Sequence, residues 1–353
     1  MSSIAPFPVH YYIHGRGRGH ATRSLTVIER LRAEGFAVRV FAGRDAQTIF
    51  SDASRMHVVD SLLPEARLRL AELVPRRLLA AQRWIRRERP VAVISDGDGP
   101  AIWAARWCKL PSIAVGHGLT FSHCDPPPGA PIARDDWRRE GRKAAVSAAG
   151  SSRQVAVNFV AVPPIRPGTV VARPQLRRAL VDPSDGRVGS QIVTYFRDED
   201  GGDVLQELTR RGHRVHAFGR VDPKIDGVAF SLASPDAFAQ ALKSAAAVVS
   251  SAGSQLISEC VALGIPQLAL YAPGDLEQSL NVAMLVHAKL GFGCARGRDL
   301  GHVLDAFLPT ISGPRRPGRV PTQGLPDVTR AVVDQLLDLV DRFRAARSPL
   351  SDA

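Results

Sequence analysis

Histidine, aspartate and glycine recur at the places where a parallel sheet would hand its strands over to helices. His20 closes the run Gly15-Arg16-Gly17-Arg18-Gly19-His20, Asp96 follows the apolar segment Val91 to Ser95, and His117 stands between Gly116 and Gly118. In the second half, Arg197, Gly219, the turn Ser251-Ala252-Gly253-Ser254 and the loop Pro273 to Gln278 hold the corresponding places. Ligands of open parallel sheets bind beyond the carboxyl ends of the strands, so these residues are the ones to weigh for chemistry.

The glycines Gly15, Gly17 and Gly19 let backbone amides and the positive end of the following helix approach an anion. Two readings fit His20: a residue closing a tight turn at the helix start, or a group that takes a proton or touches phosphate, with Arg23 one turn on as a nearby cation. Asp96 is placed to orient either His20 or His117. The turn Ser251 to Ser254 leads into a helix and offers unpaired amides to a diphosphate. On that helix Glu259 lies off the apolar face of Leu256, Cys260 and Leu263, either as a solvated carboxylate or as an acceptor for two ribose hydroxyls. Asp275 and Gln278 have capping-box spacing, while Glu277, Gln278 and Asn281 form a polar cluster that suits sugar hydroxyls.

Positioning these residues requires alternating strands and helices. Val9 to His14, a glycine turn, a helical pattern through Ala21, Leu25, Ile28 and Leu31, and a strand at Val38 to Phe41 make a βαβ unit. Val91 to Ser95, Ser112 to Gly116 and Val155 to Val162 continue the strands. Pro163, Pro164, Pro167, Gly168 and Pro174 then interrupt the periodicity as a linker would. Strands resume at Ser190 to Phe196, Val215 to Gly219, Val228 to Ser231, Ala246 to Ser251 and Gln267 to Tyr271. The expectation is an α/β protein of two Rossmann-like, doubly wound parallel-sheet domains, 1–165 and 166–325. A final amphipathic helix within 326–353, carrying Val328, Val332, Leu336, Leu339 and Phe343 on one side, is placed to pack back on the first domain.

A length of 353 residues, 45% apolar and 23% charged, accords with two ordinary globular domains. The net charge of +12 comes from 46 basic residues, only five of them lysine, and allows an acidic substrate or an anionic membrane surface. No nucleic-acid motif accompanies it. The segment Arg67 to Arg89, read as a pair of helices, interleaves its arginines with Leu68, Leu70, Leu73, Leu78, Leu79, Trp84 and Ile85, either as ordinary solvated helices or as a membrane-facing surface. Cys108, Cys124, Cys260 and Cys294 lack zinc-site spacing and read as reduced thiols. With neither a secretory leader nor a membrane-spanning run, the expected location is cytoplasmic, with peripheral association at the inner face of the membrane.

The run SSAGSQLISECVALGIPQLALYAPGDLEQSLNVAMLVHAKLGFG, Ser250 to Gly293, resembles the donor-binding signature of GT-B glycosyltransferases of the MurG and UDP-glycosyltransferase type. The matching positions are Gly253, Glu259, Gly264-Ile265-Pro266, Glu277-Gln278 and Asn281, and Gly15 to Arg23 is similar to the family's N-terminal loop. The resemblance implies two such domains facing a central cleft. It also implies that Ser251, Gly253 and Ser254 hold the donor diphosphate, Glu259 the ribose, and Glu277 and Gln278 the sugar, beside Asn281. Departures are Ala252 in place of a second glycine and Tyr195 to Asp200 in place of a glycine-rich loop, where Arg197 would supply a charged phosphate contact alongside Gly219. The implied activity is metal-independent, cofactor-free inverting transfer from a nucleotide sugar, a UDP-sugar by resemblance, to a lipid-linked or small-molecule acceptor. His20 would be the base, with His117 as its substitute.

Two other functions fit the sequence. The stretch Gly17 to Leu31 is similar to the G-x-G-H-x-x-R start of the UDP-sugar hydrolase of pseudaminic acid synthesis, where the His would activate water. A noncatalytic sugar-nucleotide-binding protein is the other. Asp96-Gly97-Asp98 has a D-x-D form used by metal-dependent transferases of another fold and reads here as a decoy.

Overall fold

Short β-rich runs closed by glycine, serine or proline become the strands of two parallel sheets, and the amphipathic stretches between them cover both sheet faces. The computed structural model describes residues 7–15, 18–43, 46–47, 56–60, 67–181, 189–196, 201–232, 234–297, 300–312 and 324–345. The first unit runs β1 (Pro8–Ile13), α1 (Arg18–Ala33), β2 (Ala37–Ala42), β3 (Met56–Val58), α2 (Arg67–Glu88), β4 (Ala92–Asp96), α3 (Gly99–Trp107), β5 (Ser112–Gly116), α4 (Gly118–His123), α5 (Arg134–Ser147), β6 (Arg153–Val157) and β7 (Thr169–Ala172). The second runs α6 (Arg178–Val181), β8 (Gln191–Tyr195), α7 (Gly202–Arg210), β9 (Arg214–Gly219), β10 (Val228–Leu232), α8 (Pro235–Ser244), β11 (Ala247–Ser251), α9 (Ser254–Leu263), β12 (Gln267–Tyr271), α10 (Leu276–His287), β13 (Phe292–Ala295) and α11 (Leu300–Phe307). A last helix, α12 (Val328–Ala345), follows.

The strand orders are β3-β2-β1-β4-β5-β6-β7 and β10-β9-β8-β11-β12-β13. Every pairing is parallel. Each order reverses once, between β1 and β4 and between β8 and β11. A crevice opens at such a reversal because the helices on its two sides leave in opposite directions. The chain thereby assigns the ends of β1 and β4, and of β8 and β11, to binding.

The core of the first sheet joins Val9, Tyr11, Ile13, Ile28, Leu31 and Ile113 to Val328, Val332, Leu336 and Leu339 of α12. A second cluster spans the units, packing Phe121, Trp137, Phe159, Val160 and Val162 against Ile257, Val261, Leu280, Met284 and Leu285.

Several local expectations are corrected. β3, β7 and β13 were not anticipated. β7 lies inside the proline-rich stretch read as linker and pairs with β6 from Gln154↔Thr169 to Val157↔Ala172, so the first sheet extends beyond residue 165 to Ala172. β6 stops at Val157 instead of Val162, because Phe159, Val160 and Val162 are buried in the cluster between the units. The segment read as two helices is the single 22-residue α2, with Pro75 on an exposed turn. Among the described residues no helix is long and apolar enough to cross a membrane.

Candidate active site in the cleft

At the first reversal, β1 and β4 run side by side, and the loop after β1 is tied to β4 by His14 N donating to Asp96 O at 2.9 Å. Asp96 is the last residue of β4 and is wholly buried, whereas His20, in the first turn of α1, keeps 32% of its side chain exposed. His20 Nδ1 lies 2.6 Å from Asp96 Oδ1. Arg23 forks the same carboxylate, donating from Nε to Oδ2 at 2.8 Å and from Nη2 to Oδ1 at 2.6 Å. Ser24 Oγ donates to Oδ2 at 3.2 Å. Gly97 makes this approach possible: its φ is +79°, and a Cβ there would stand 3.2 Å from both His20 Cε1 and His14 Cβ.

Burial alone would raise the Asp96 carboxyl, but Arg23 and then His20 outweigh it and hold it well below the usual carboxylate range. An ionised carboxylate only accepts, so in the neutral form of the His20 ring the proton sits on Nδ1 and Nε2 is the lone-pair nitrogen. Such a ring, fixed at one nitrogen and free at the other, is built to take a proton. Arg23 is likewise buried; desolvation opposes its charge, and Asp96 more than offsets that and raises it.

His117 sits in another environment. It is 5% exposed, with Nδ1 2.9 Å from Val157 O and Nε2 2.8 Å from Asn281 Oδ1. Asn281 Nδ2 in turn donates to Ala252 O at 3.0 Å. Both ring nitrogens are engaged, so the substitute base expected at His117 is corrected to a bridge from β5 and α4 to α10. The D-x-D pair is also split. Asp98 accepts from Ala101 N as the cap of α3 and bonds Arg77 Nη2 at 2.6 Å.

At the second reversal, Ser251 ends β11, and Gly253 is the N-cap of α9 with no side-chain cap. Gly253 is exposed, with nothing within 4 Å of where a Cβ would stand, and no side chain caps the start of α9. The start of α9 faces the start of α1: a Cβ on Gly19 would lie 3.9 Å from Gln255 Cβ. Gly15 is buried beside it, and Gly219 ends β9, the neighbour of β8. Gly17 and Arg197 lie outside the described residues.

Glu259 departs from expectation. Instead of a free acceptor it is a fully buried carboxylate forked by Arg177, with Nε to Oε1 at 2.8 Å and Nη2 to Oε2 at 2.5 Å. Gln255 Nε2 adds a bond to Oε1 at 3.2 Å, and Arg177 lies over the Phe238 ring. Asp275 caps α10, accepting from Gln278 N at 3.0 Å and from Gln278 Nε2 at 2.8 Å, which realises the capping reading for that pair. Glu277 is half-buried and near enough to reinforce the charge of Arg23 across the cleft. Glu140 of α5 faces the same helix start; burial, then Glu277, push its carboxyl up. Asn281 is wholly buried.

Sequence reading missed Arg177, Glu140 and Ser24. Ser24 had a usable signal, since His20, Arg23 and Ser24 stand at i, i+3 and i+4 on one helix face. Arg177, in an irregular segment between two sheets, had none.

The sequence matches the profile of Glycosyl transferase family 1 over residues 8–311. No curated protein matches it significantly. Among solved structures, it is similar to the glycosyltransferase SnogD from Streptomyces nogalater, at 18% identity and a TM-score of 0.65, with 95% of this chain and 99% of that chain covered. Acinetobacter baumannii MurG gives 15%, 0.63, and 94% and 100% coverage. Medicago truncatula UGT71G1 complexed with UDP-glucose gives 14%, 0.62, and 96% and 100%. These are glycosyltransferases of the GT-B architecture, and the two parallel-sheet domains described above share it.

Proposed function

This chain belongs to Glycosyl transferase family 1, and from that premise we propose that it transfers a sugar from a nucleoside diphosphate donor, a UDP-sugar, to an acceptor hydroxyl with inversion at the anomeric carbon. The observation that carries this reading is the 2.6 Å contact of His20 Nδ1 with buried Asp96, which leaves Nε2 free at the cleft. The acceptor hydroxyl gives its proton to Nε2 as its oxygen bonds the anomeric carbon. The bond from that carbon to the diphosphate oxygen breaks, and the electron pair leaves with the diphosphate. Its growing charge is met by the first amides of α9 at Ser254 and by the turn from Ser251. Glu277 and Gln278 border the place of the sugar, and Gly219, at the end of β9, lies on the diphosphate side.

Glu259 reaches a ribose only if Arg177 gives way. The resemblance of Ser250 to Gly293 and the UDP-glucose held by UGT71G1 support a UDP donor. No metal enters this mechanism, because the amides and α9 itself supply the positive potential. The exposed side of α2, with Arg76, Arg83, Arg86 and Arg87 around the half-exposed Leu79, suits a membrane bearing a lipid-linked acceptor.

The test is UDP release from UDP-sugars, with and without acceptor hydroxyl compounds and in the presence or absence of EDTA. His20→Ala is expected to lose about 10²- to 10⁴-fold in turnover while still binding UDP in a thermal-shift assay. Unchanged turnover in His20→Ala refutes the base. Stoichiometric release of free sugar without an acceptor converts the reading to hydrolysis, and loss of turnover in EDTA refutes metal independence.

A further inference from the structure

His20, Arg23 and Ser24 all converge on one carboxylate, yet only Arg23 brings a permanent charge. Ser24 and the His20 ring also bond Asp96, one at each oxygen. A buried carboxylate facing a histidine with no other partner favours the imidazolium strongly. A ring already protonated at neutral pH cannot accept a proton from a substrate. Arg23 alters this balance by position. Its fork occupies both oxygens of Asp96, and its Nη2 is also 3.3 Å from His20 Nδ1. Arg23 is 4% exposed and Asp96 is not exposed at all, so salt and water screen the pair little.

We propose that Arg23 is a tuning residue that offsets the charge of Asp96 at the His20 ring while the carboxylate still fixes that ring. The inference rests on His20 being the acceptor base. The remaining groups around His20 leave this assignment in place. From the loop after β1, His14 meets the ring edge-on at 5.5 Å between centroids. Tyr11, on β1, is close enough to Asp96 to feel its charge, and burial and Asp96 both push its hydroxyl up, so it stays neutral. Glu277 of α10 acts on Arg23 from across the cleft, and Gln255 of α9 near Gly19 is uncharged. Among the described residues, Arg23 is the one permanent cation bonded to Asp96.

The test is the titration of the His20 ring in the full-length chain, followed by nitrogen–proton correlation spectra of ¹⁵N-histidine protein without substrate and assigned with His20→Ala. Arg23→Met is expected to move the His20 midpoint up by about one pH unit or more. Arg23→Lys, which keeps the charge and loses the fork, should stay much closer to the wild type. An unchanged or lowered midpoint in Arg23→Met overturns the proposal, as does a shift in Arg23→Lys as large as that in Arg23→Met. Leaving Asp96 buried without its cation can prevent folding, so Arg23→Met combined with Asp96→Asn provides an independent test. With both charges gone, its midpoint should lie within a few tenths of the wild-type value. A midpoint far below the wild-type value would mean that Asp96 acts on His20 unbalanced, and overturns the proposal. Because the spectra need no turnover, they succeed or fail separately from the His20→Ala assay that tests the base.

Discussion

Two histidine–carboxylate contacts in the first domain stand in different surroundings. His20 keeps one nitrogen at the cleft. His10 is entirely enclosed, with Nε2 2.9 Å from Glu88 and no partner for Nδ1. Protonating it would bury an N–H without an acceptor as well as a charge. Burial accordingly dominates the pull of Glu88 and lowers His10 to about 4, so the contact is a neutral imidazole bonded to the Glu88 side chain and not an ion pair. In the unfolded chain the same ring binds a proton near pH 6.5. Between these values the unfolded state holds the extra proton, so stability is complete above about pH 6.5 and falls as pH drops toward 4. Thermal melts from pH 7 to 4 should show that slope, and His10→Gln, which can still donate to Glu88, should flatten it; an equally steep slope in the variant would assign the loss elsewhere. At this scale the sequence revealed types better than partners. His20 and Asp96 were legible because glycine turns and strand ends mark the rim of a sheet. The fork of Arg177 on Glu259 was not, since the two lie 82 positions apart and no periodicity links an irregular segment to a helix.

The helices that present these residues depend on close backbone approach as much as on apolar faces. Gly141 of α5 is the clearest case: a Cβ there would stand 2.5 Å from Phe121 O and 2.6 Å from its carbonyl carbon, both backbone atoms of α4. Neither can rotate away, so Gly141→Ala must part the two helices and disturb the bridge at His117, just before α4. The gain in helix propensity, about 1 kcal/mol, is outweighed by overpacking of roughly 1–3 kcal/mol or more. A lower melting temperature is expected in thermal unfolding, and a raised one would show that the helices yield freely. Long alternations such as β1-α1-β2 were legible as elements because their periods are clean. β3 and β13 are three and four residues long, too short for a period to register. β7 is hidden among prolines that flank it without interrupting its four residues.

The two sheets do not behave as separate beads, because the cluster around Phe121, Met284 and Leu285 is shared and α12 returns to complete the first one. Leu336 of α12 is wholly buried in the core of the first sheet. Leu336→Ala is expected to cost about 2–5 kcal/mol, and hydrogen exchange should place the loss of protection in β1, β5 and β6 and spare β8 and β11. Loss confined to the second sheet would contradict the packing described. The architecture of two sheets was readable from alternation alone, whereas the closeness of their contact was not, since apolar runs do not state which partner they cover. The return of α12 also sets an order of assembly. Domains made of one continuous stretch can fold as they leave the ribosome, first domain first. Here the unit synthesised first lacks an apolar wall until the final helix emerges, so the second sheet can finish while the first still waits. The nascent first domain is therefore the part of this chain that most needs protection from aggregation.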